Sequence, residues 1–270
     1  MNFKSILACA ALLIGIGTAT AAVESEVVGY TTVTLKKGYN MLAVNFESLT
    51  SEDGISIQDL GFTLEAGFTG GTNGTRGDQI QVYDAQRGEY TTYFLYNNER
   101  RPEDGKNGKW CKSNGEVAAA TFKSGDSFWF RKRGENDATI SIAGAVSIQE
   151  VQAISIVKGY TMIGNAFPIN FNPNDLGADY WMAAIKSGAV GGTNGTRGDQ
   201  IQVYDAQRGE YTTYFLYNNE RRPEDGKNGK WCKSNGTEMD ATAEFLPMGR
   251  GAWYFHRGDG FTLTTPTPLK

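Results

Sequence analysis

The most constraining feature of this chain is an internal repeat. Residues 70–115 recur letter for letter at 191–236, a displacement of 121 positions. Self-similarity at a fixed spacing indicates repeated structural units, so both copies must lie in units of the same fold. The segments that flank the two copies differ in sequence and in length. We therefore predict two tandem modules, one over 22–146 and one over 147–270.

The first 21 residues have the character of a secretory signal peptide. Lys4 gives a short positive start, an apolar stretch follows over 6–16, and Ala19-Thr20-Ala21 offers an A-x-A cleavage site. No later apolar run approaches the roughly 18 residues that a membrane-spanning helix needs. We expect cleavage after 1–21 and a mature protein that is extracellular or at the cell surface, with the periplasm as the alternative.

The composition favours strands and argues against a nucleic-acid partner. The chain has 34 glycines, 13 tyrosines and 14 phenylalanines, which is typical of strands joined by tight turns. The formal net charge is −4, and charged residues in the repeated block alternate in sign instead of forming a basic stripe. Nucleic acid is therefore not an expected partner.

Strand patterns run through both modules. β-Branched and apolar residues surround a Lys-Gly break at 32–42 and at 153–163, which predicts a hairpin at the start of each module. In the repeated block, 79–84 alternates with a period of two, and 85–88 forms the turn into an aromatic strand over 89–96. Each module closes with two more predicted strands, at 125–130 and 139–142 and at 249–254 and 261–264.

Helical composition is confined to a short segment at 176–186. Several short strands with turn signals between them predict an all-β fold, with a sandwich or barrel-like arrangement in each module. About 120 residues per module provide enough volume for a separate core.

Three short motifs occur in the same order in each module. They are Gly38-Tyr39-Asn40-Met41-Leu42, Val82-Tyr83-Asp84 and 125–130, repeated as 159–163, 203–205 and 249–254. Together they resemble a β-rich module of secreted bacterial proteins with the pattern G-W-N-L-I, V-x-x-Y-D and G-x-G-Y-W-I. This chain departs from it with Tyr39 and Tyr160 for Trp, Thr161 for Asn and Ser127 for Gly. The resemblance implies an accessory or surface role and assigns no catalytic residue.

Two cysteines remain after removal of the signal peptide. Cys111 and Cys232 occupy equivalent positions of the two copies, and an oxidising compartment favours a disulfide. A bond within the chain needs a two-fold arrangement that brings the Cα atoms within about 7 Å. A bond between chains joins Cys232 of one copy to Cys111 of the next. Two buried free thiols are the third alternative.

Two surface sites are candidates for binding. Trp110 and Trp231 follow a polar loop, and Tyr83 and Tyr204 face outward from their strands, which suits stacking against sugar rings. The tripeptide Arg76-Gly77-Asp78 recurs as Arg197-Gly198-Asp199, and a third copy lies at 257–259. An exposed turn of this sequence is a candidate adhesion site, although the tripeptide is also ordinary β-turn chemistry.

Catalysis has few candidate residues. His256 is the single histidine, so a duplicated Ser-His-Asp site is excluded by count, and we interpret it as a surface or strand-edge residue. The loops 73–78 and 103–107 carry oxygen ligands for calcium but lack the spacing of a dedicated loop. We therefore predict no enzyme, no cofactor and at most a calcium ion.

These observations predict a secreted structural or adhesive protein. Two related surfaces in one chain suit self-association, as an oligomer, an extracellular filament or a surface-layer subunit, reinforced by strand-edge pairing or a cysteine bond. The alternative function is a carbohydrate-binding module of the extracellular space.

Overall fold

The computed structural model describes residues 27–239 and 245–267, so the predicted signal peptide lies outside the described residues. The all-β prediction is confirmed, because strands dominate the described residues and only one α-helix occurs among them. No sheet that these residues form closes into a barrel. In the same residues no helix is long and apolar enough to cross a membrane.

The described residues of module one form nine strands and two short 3₁₀ turns. The strands are β1 (Val28–Leu35), β2 (Gly38–Ala43), β3 (Ile55–Ser56), β4 (Gln79–Asp84), β5 (Glu89–Leu95), β6 (Trp110–Lys112), β7 (Thr121–Phe122), β8 (Ser127–Lys132) and β9 (Ala138–Ala145). Five of them form an antiparallel sheet in the order β2-β8-β4-β5-β6, while β1 and β9 form a separate two-stranded ribbon and β3 pairs with β7.

Module two repeats this plan. Its strands are β10 (Val151–Ile156), β11 (Gly159–Gly164), β12 (Gln200–Asp205), β13 (Glu210–Tyr217), β14 (Lys230–Lys233), β15 (Gly251–His256) and β16 (Phe261–Pro266). The sheet order is β11-β15-β12-β13-β14, and β10 pairs with β16 as the second ribbon. The predicted helix is confirmed as α1 (Ala178–Lys186).

The hairpins predicted at the module starts are wrong. β1 pairs with β9 and β2 pairs with β8, so the two strands around the Lys-Gly break belong to different sheets. The Asn40 side chain closes this corner, accepting from the Lys36 N–H at 2.9 Å and donating to the Lys36 carbonyl at 2.8 Å. Gly38 turns the chain at a φ of 89°. In module two, the Thr161 hydroxyl accepts from the Val157 N–H instead.

The corner brings the ribbon and the sheet of module one onto one core. Val33 and Ile140 of the ribbon meet Leu42, Ile80 and Phe128 of the sheet in a single apolar cluster. A separate cluster forms in module two, from Ile156 to Leu263. The hairpin predicted in the repeated block is confirmed in both copies, with Asp84 opposite Glu89 and Asp205 opposite Glu210.

Candidate functional site

The predicted disulfide is contradicted. Cys111 and Cys232 are free and fully buried, each in a small cluster of its own module. Burial raises the pKa of the Cys232 thiol to about 11, and it raises the pKa of Cys111 in the same direction. Neither thiol is available to a second chain. Of the three alternatives, the structure has the buried free thiols.

The predicted stacking role of Trp110 and Trp231 is also wrong, because both rings are core residues. Trp110 packs against Phe62 and donates its indole N–H to the Phe62 carbonyl at 3.2 Å. Trp231 packs edge to face on Trp181 of α1 at 5.1 Å. No acceptor for the Trp231 indole N–H lies within the described residues. Identical residues thus have different surroundings, because the flanking segments differ.

The first two Arg-Gly-Asp tripeptides do not form exposed turns. Arg76 is exposed, but Asp78 is fully buried, and its carboxylate accepts the N–H groups of Thr69 at 2.8 Å and Arg133 at 2.6 Å. A Cβ atom on Gly77 would lie 2.5 Å from the Leu95 carbonyl oxygen. The tripeptide therefore packs against the turn after β8. The predicted adhesion through this tripeptide is contradicted, because its aspartate is buried.

The second copy repeats this arrangement at Arg197-Gly198-Asp199. Asp199 is fully buried and accepts the N–H groups of Val190 and Arg257, both at 2.9 Å. Arg257, from the third Arg-Gly-Asp tripeptide, donates its guanidinium to the Gly198 carbonyl at 2.7 Å. Arg133 does the same for the Gly77 carbonyl in module one.

A buried polar cluster surrounds Asp199 in module two. The Tyr254 hydroxyl donates to its carboxylate at 3.0 Å, and Nδ1 of His256 lies 2.9 Å from the same oxygen. His256 is therefore not the surface residue that we predicted. Burial and the adjacent Asp199 carboxylate raise the pKa of Tyr254 well above its ordinary value. All three side chains are shielded from solvent, which places this cluster inside module two.

Several side-chain oxygens of the two candidate calcium loops accept hydrogen bonds within the protein. Besides the bonds of Asp78, Asp104 accepts from the Tyr96 hydroxyl at 2.8 Å, and Asn107 accepts from the Asn98 N–H at 2.7 Å. Among the residues that the structure describes, no group of three or more His, Cys, Asp or Glu side chains could hold a metal ion.

The outer faces of the two five-stranded sheets pack against each other through aromatic residues. Tyr83 of module one lies edge to face against Trp253 of module two, with ring centroids 5.1 Å apart. The equivalent pair, Tyr204 and Trp129, makes the same contact at 5.0 Å. Met41 belongs to this cluster as well. Each module contributes the same patch, so the interface has an approximate two-fold axis and is closed within the chain.

Four half-exposed tyrosines border this interface, and we call them the tyrosine row: Tyr39, Tyr90, Tyr211 and Tyr160, 38–49% exposed. Tyr39 and Tyr90 of module one occupy positions equivalent to Tyr160 and Tyr211 of module two. Tyr90, Tyr160 and Tyr211 line the same cleft, so the row spans both modules.

Tyr90 and Tyr211 stand directly opposite Tyr83 and Tyr204 in their hairpins. Tyr90 and Tyr211 were not among the predicted site residues, although the predicted turn at 85–88 already pairs position 83 with 90. Tyr83 and Tyr204 do face outward from their sheets, as predicted, but the tryptophan of the other module covers each ring.

A cleft of about 290 Å³ opens beside the row. Residues of both modules line it, and none of them is charged: Tyr83, Tyr90, Tyr160, Gln202, Tyr211 and Trp253. A larger cleft of about 1040 Å³ also lies between the modules. Its lining mixes acidic and basic side chains with serine and threonine, so it defines no single ligand chemistry.

The outer edge of β1 is the second candidate surface. β1 pairs with β9 alone, so no other described strand extends its outer edge. Val28 and Tyr30 are 59% and 72% exposed, and Thr32 and Thr34 follow on the same face. The Thr34 carbonyl accepts from the Arg250 guanidinium at 2.7 Å. The backbone N–H and C=O groups of every second residue of β1, including Thr34, therefore point away from β9.

Exposed apolar side chains surround one end of this edge. Val27 is 67% exposed, and its carbonyl accepts from the Val146 N–H, two residues before Ile148, which is 92% exposed. Leu49 is exposed beyond the backbone bridge between Glu47 and Ala145. The strand itself carries no charged residue from 27 to 35.

Comparisons with known proteins found no match to this chain. No protein-family model matches the chain, and neither curated proteins nor solved structures give a match. The resemblance to a module of secreted bacterial proteins therefore stays a prediction.

Proposed function

We propose that this chain is a secreted, non-enzymatic structural protein that self-associates through the outer edge of β1. The observation that carries the proposal is a strand edge that has no charged residue in 27–35 and exposes Val28 and Tyr30, while the Arg250 guanidinium covers the outward-pointing Thr34 carbonyl near the end of the strand. Folded proteins usually protect such edges with charges, prolines or covering segments, because an open edge pairs with other chains.

Two other routes to assembly do not fit the structure. A cysteine link between chains would need thiols at the surface, and both are buried. The aromatic patch around Trp129 and Trp253 is already used between the modules, so it is not free for a second chain. Strand pairing is the remaining route.

The partner that fits the edge is a second copy of this chain. Two β1 strands in antiparallel register present the same sequence to each other, which makes the contact self-complementary. No lysine or glutamate within 27–35 opposes such pairing, and the apolar side chains of Val28 and Tyr30 become covered.

A filament needs a second contact, and module two offers one. β10 and β16 form the equivalent ribbon, and no other described strand extends it. Its exposed face carries only small or uncharged residues, such as Ala153, Ser155, Thr262 and Thr264. Pairing through both ribbons would join copies into an open row, as a filament or surface layer requires.

The test is a charge placed on the edge. Mature wild-type protein is expected to show species larger than a dimer by light scattering at tens of micromolar, with or without reductant. Thr32→Lys removes the β1 contact and is expected to form nothing larger than a dimer joined through the β10/β16 ribbon. Thr139→Lys, on the other strand of the same ribbon, is the matched control and should assemble like wild type. A wild-type protein that stays monomeric or dimeric, or species larger than a dimer with Thr32→Lys, contradicts the proposal.

A further inference from the structure

We infer that the tyrosine row binds a neutral, linear polysaccharide chain across both modules. The inference is independent of self-association, because the row and the edge of β1 share no residue. It also differs from the glycan site that the sequence predicted at Trp110 and Trp231, since those rings are buried.

The chemistry of the row suits sugars better than purely apolar ligands. Tyrosine combines a flat apolar ring with a hydroxyl that hydrogen-bonds, so one side chain can stack on the C–H face of a pyranose and bond its rim. A tyrosine hydroxyl has a pKa of about 10, so the hydroxyls of Tyr90 and Tyr211 are protonated near neutral pH and can donate.

The rings are held in place before any ligand arrives. Tyr90 packs on Tyr83 at 5.0 Å, and Tyr211 packs on Tyr204 at 5.1 Å. Tyr160 packs on Trp253 at 5.6 Å, and Tyr39 packs on Trp129 at 5.8 Å. Each exposed ring thus lies against an interface residue, which lowers the entropic cost of ordering it on binding.

The lining of the cleft indicates a neutral ligand. It consists of aromatic side chains and the amide of Gln202, without a lysine or arginine to attract a carboxylate or sulfate. An amide presents donors and an acceptor that match sugar hydroxyls. A cleft of about 290 Å³ lies at the small end of ligand sites, which suits one or two sugar units within a longer chain.

The four tyrosines are equivalent in pairs, Tyr90 with Tyr211 and Tyr39 with Tyr160. The surroundings of the second pair differ, because the Arg131 guanidinium lies 5.3 Å from the Tyr39 ring centroid whereas Phe255 packs on Tyr160 at 4.7 Å. Binding is expected to strengthen with chain length, since a longer polymer reaches more of the four rings.

The experiment is native gel electrophoresis of the mature protein through gels that contain hydroxyethyl cellulose, laminarin or galactomannan, with alginate as an anionic polymer. At least one neutral polymer is expected to retard the protein, and alginate is not. Titration calorimetry with the matching hexasaccharide and disaccharide should then show at least tenfold tighter binding of the hexasaccharide.

Variants assign the binding to the row. Tyr90→Ala/Tyr211→Ala should weaken hexasaccharide binding at least tenfold, and Tyr39→Ala/Tyr160→Ala should weaken it less. Val117→Ala, at an exposed residue outside both the cleft lining and the β1 edge, is the control that leaves affinity unchanged, and circular dichroism checks that each variant is folded. The inference is overturned if no neutral polymer retards the protein, if only alginate does, or if the folded Tyr90→Ala/Tyr211→Ala variant binds as well as wild type.

Discussion

The ring of Tyr83 in module one lies 5.1 Å, edge to face, from the indole of Trp253 in module two. The same contact recurs in reverse between Tyr204 and Trp129. This exchange of identical residues between copies joins the modules and places the exposed tyrosines side by side.

Because the two contacts are equivalent, Tyr83→Ala and Tyr204→Ala should destabilise the protein equally. Each variant loses an aromatic pair and part of a buried surface, which we expect to lower the free energy of unfolding by about 1–3 kcal/mol. Urea unfolding measures both, with the exposed Tyr30→Ala as a control within about 0.5 kcal/mol of wild type. Strongly unequal effects would contradict the approximate two-fold interface.

The two core tryptophans of the repeated block should differ in their response to substitution. Trp110→Phe removes the donor to the Phe62 carbonyl, whereas the indole N–H of Trp231 has no acceptor among the described residues. We expect Trp110→Phe to cost about 1 kcal/mol more than Trp231→Phe in denaturant unfolding. Equal costs would mean that the hydrogen bond contributes nothing to stability.

Tyr254 should make stability fall at alkaline pH. Its pKa is raised in the folded state, so above about pH 10 the unfolded chain loses this proton while the folded protein keeps it, and the unfolding free energy drops. Tyr254→Phe, which copies Phe130 of module one, should cost about 1–2 kcal/mol at pH 8 because Asp199 loses a donor.

That difference between wild type and Tyr254→Phe should narrow above pH 10, by up to about 1.4 kcal/mol per pH unit. Urea unfolding at pH 8 and at pH 11 measures the two differences. A difference that stays constant or widens at pH 11 would rule out a raised pKa for Tyr254.

The two thiols should be unreactive in the folded protein. Burial keeps them from reagents, and the pKa of Cys232, raised to about 11, leaves little thiolate at pH 8. Ellman's reagent is expected to react slowly with native mature protein and to count two thiols per chain in denaturant. A reductant-sensitive dimer on a gel, or an internal cross-link by mass spectrometry, would contradict the buried free thiols.

Gly77 should be intolerant of a side chain. The added Cβ of Gly77→Ala would lie 2.5 Å from the Leu95 carbonyl oxygen, a backbone atom that cannot move without disturbing the sheet. We expect a loss of about 1–3 kcal/mol in thermal or urea unfolding. Arg76→Ala, at the exposed neighbour, should change stability by less than about 0.5 kcal/mol. A stable Gly77→Ala protein would show that the loop relaxes.

Short sequence patterns were sufficient to predict the elements that form between residues close together in the chain. The alternation at 79–84 and the turn at 85–88 predicted the hairpin of β4 and β5, and the composition at 176–186 predicted α1. The strands around the Lys-Gly break were also recognised. Their pairing was not, because periodicity identifies a strand without identifying its partner.

Contacts between distant segments decided the candidate sites. The local sequence predicts that Asp78 is a turn residue. In the structure its carboxylate accepts the N–H of Arg133, which lies 55 positions later. The local sequence predicts that Trp110 is an exposed loop residue, but in the structure it packs against Phe62. Whether a residue is buried depends on the segments that pack against it, and a local sequence pattern does not show which segments those are.

The sequence by itself showed that residues 70–115 recur at 191–236, and the strand patterns in both copies predicted β structure. Only the tertiary structure decided how the copies meet. Their outer sheet faces pack about an approximate two-fold axis through Tyr83, Trp129, Tyr204 and Trp253, which leaves four tyrosines exposed beside the interface. The physical reason is that docking depends on the shape and chemistry of whole surfaces, which form only after both modules have folded.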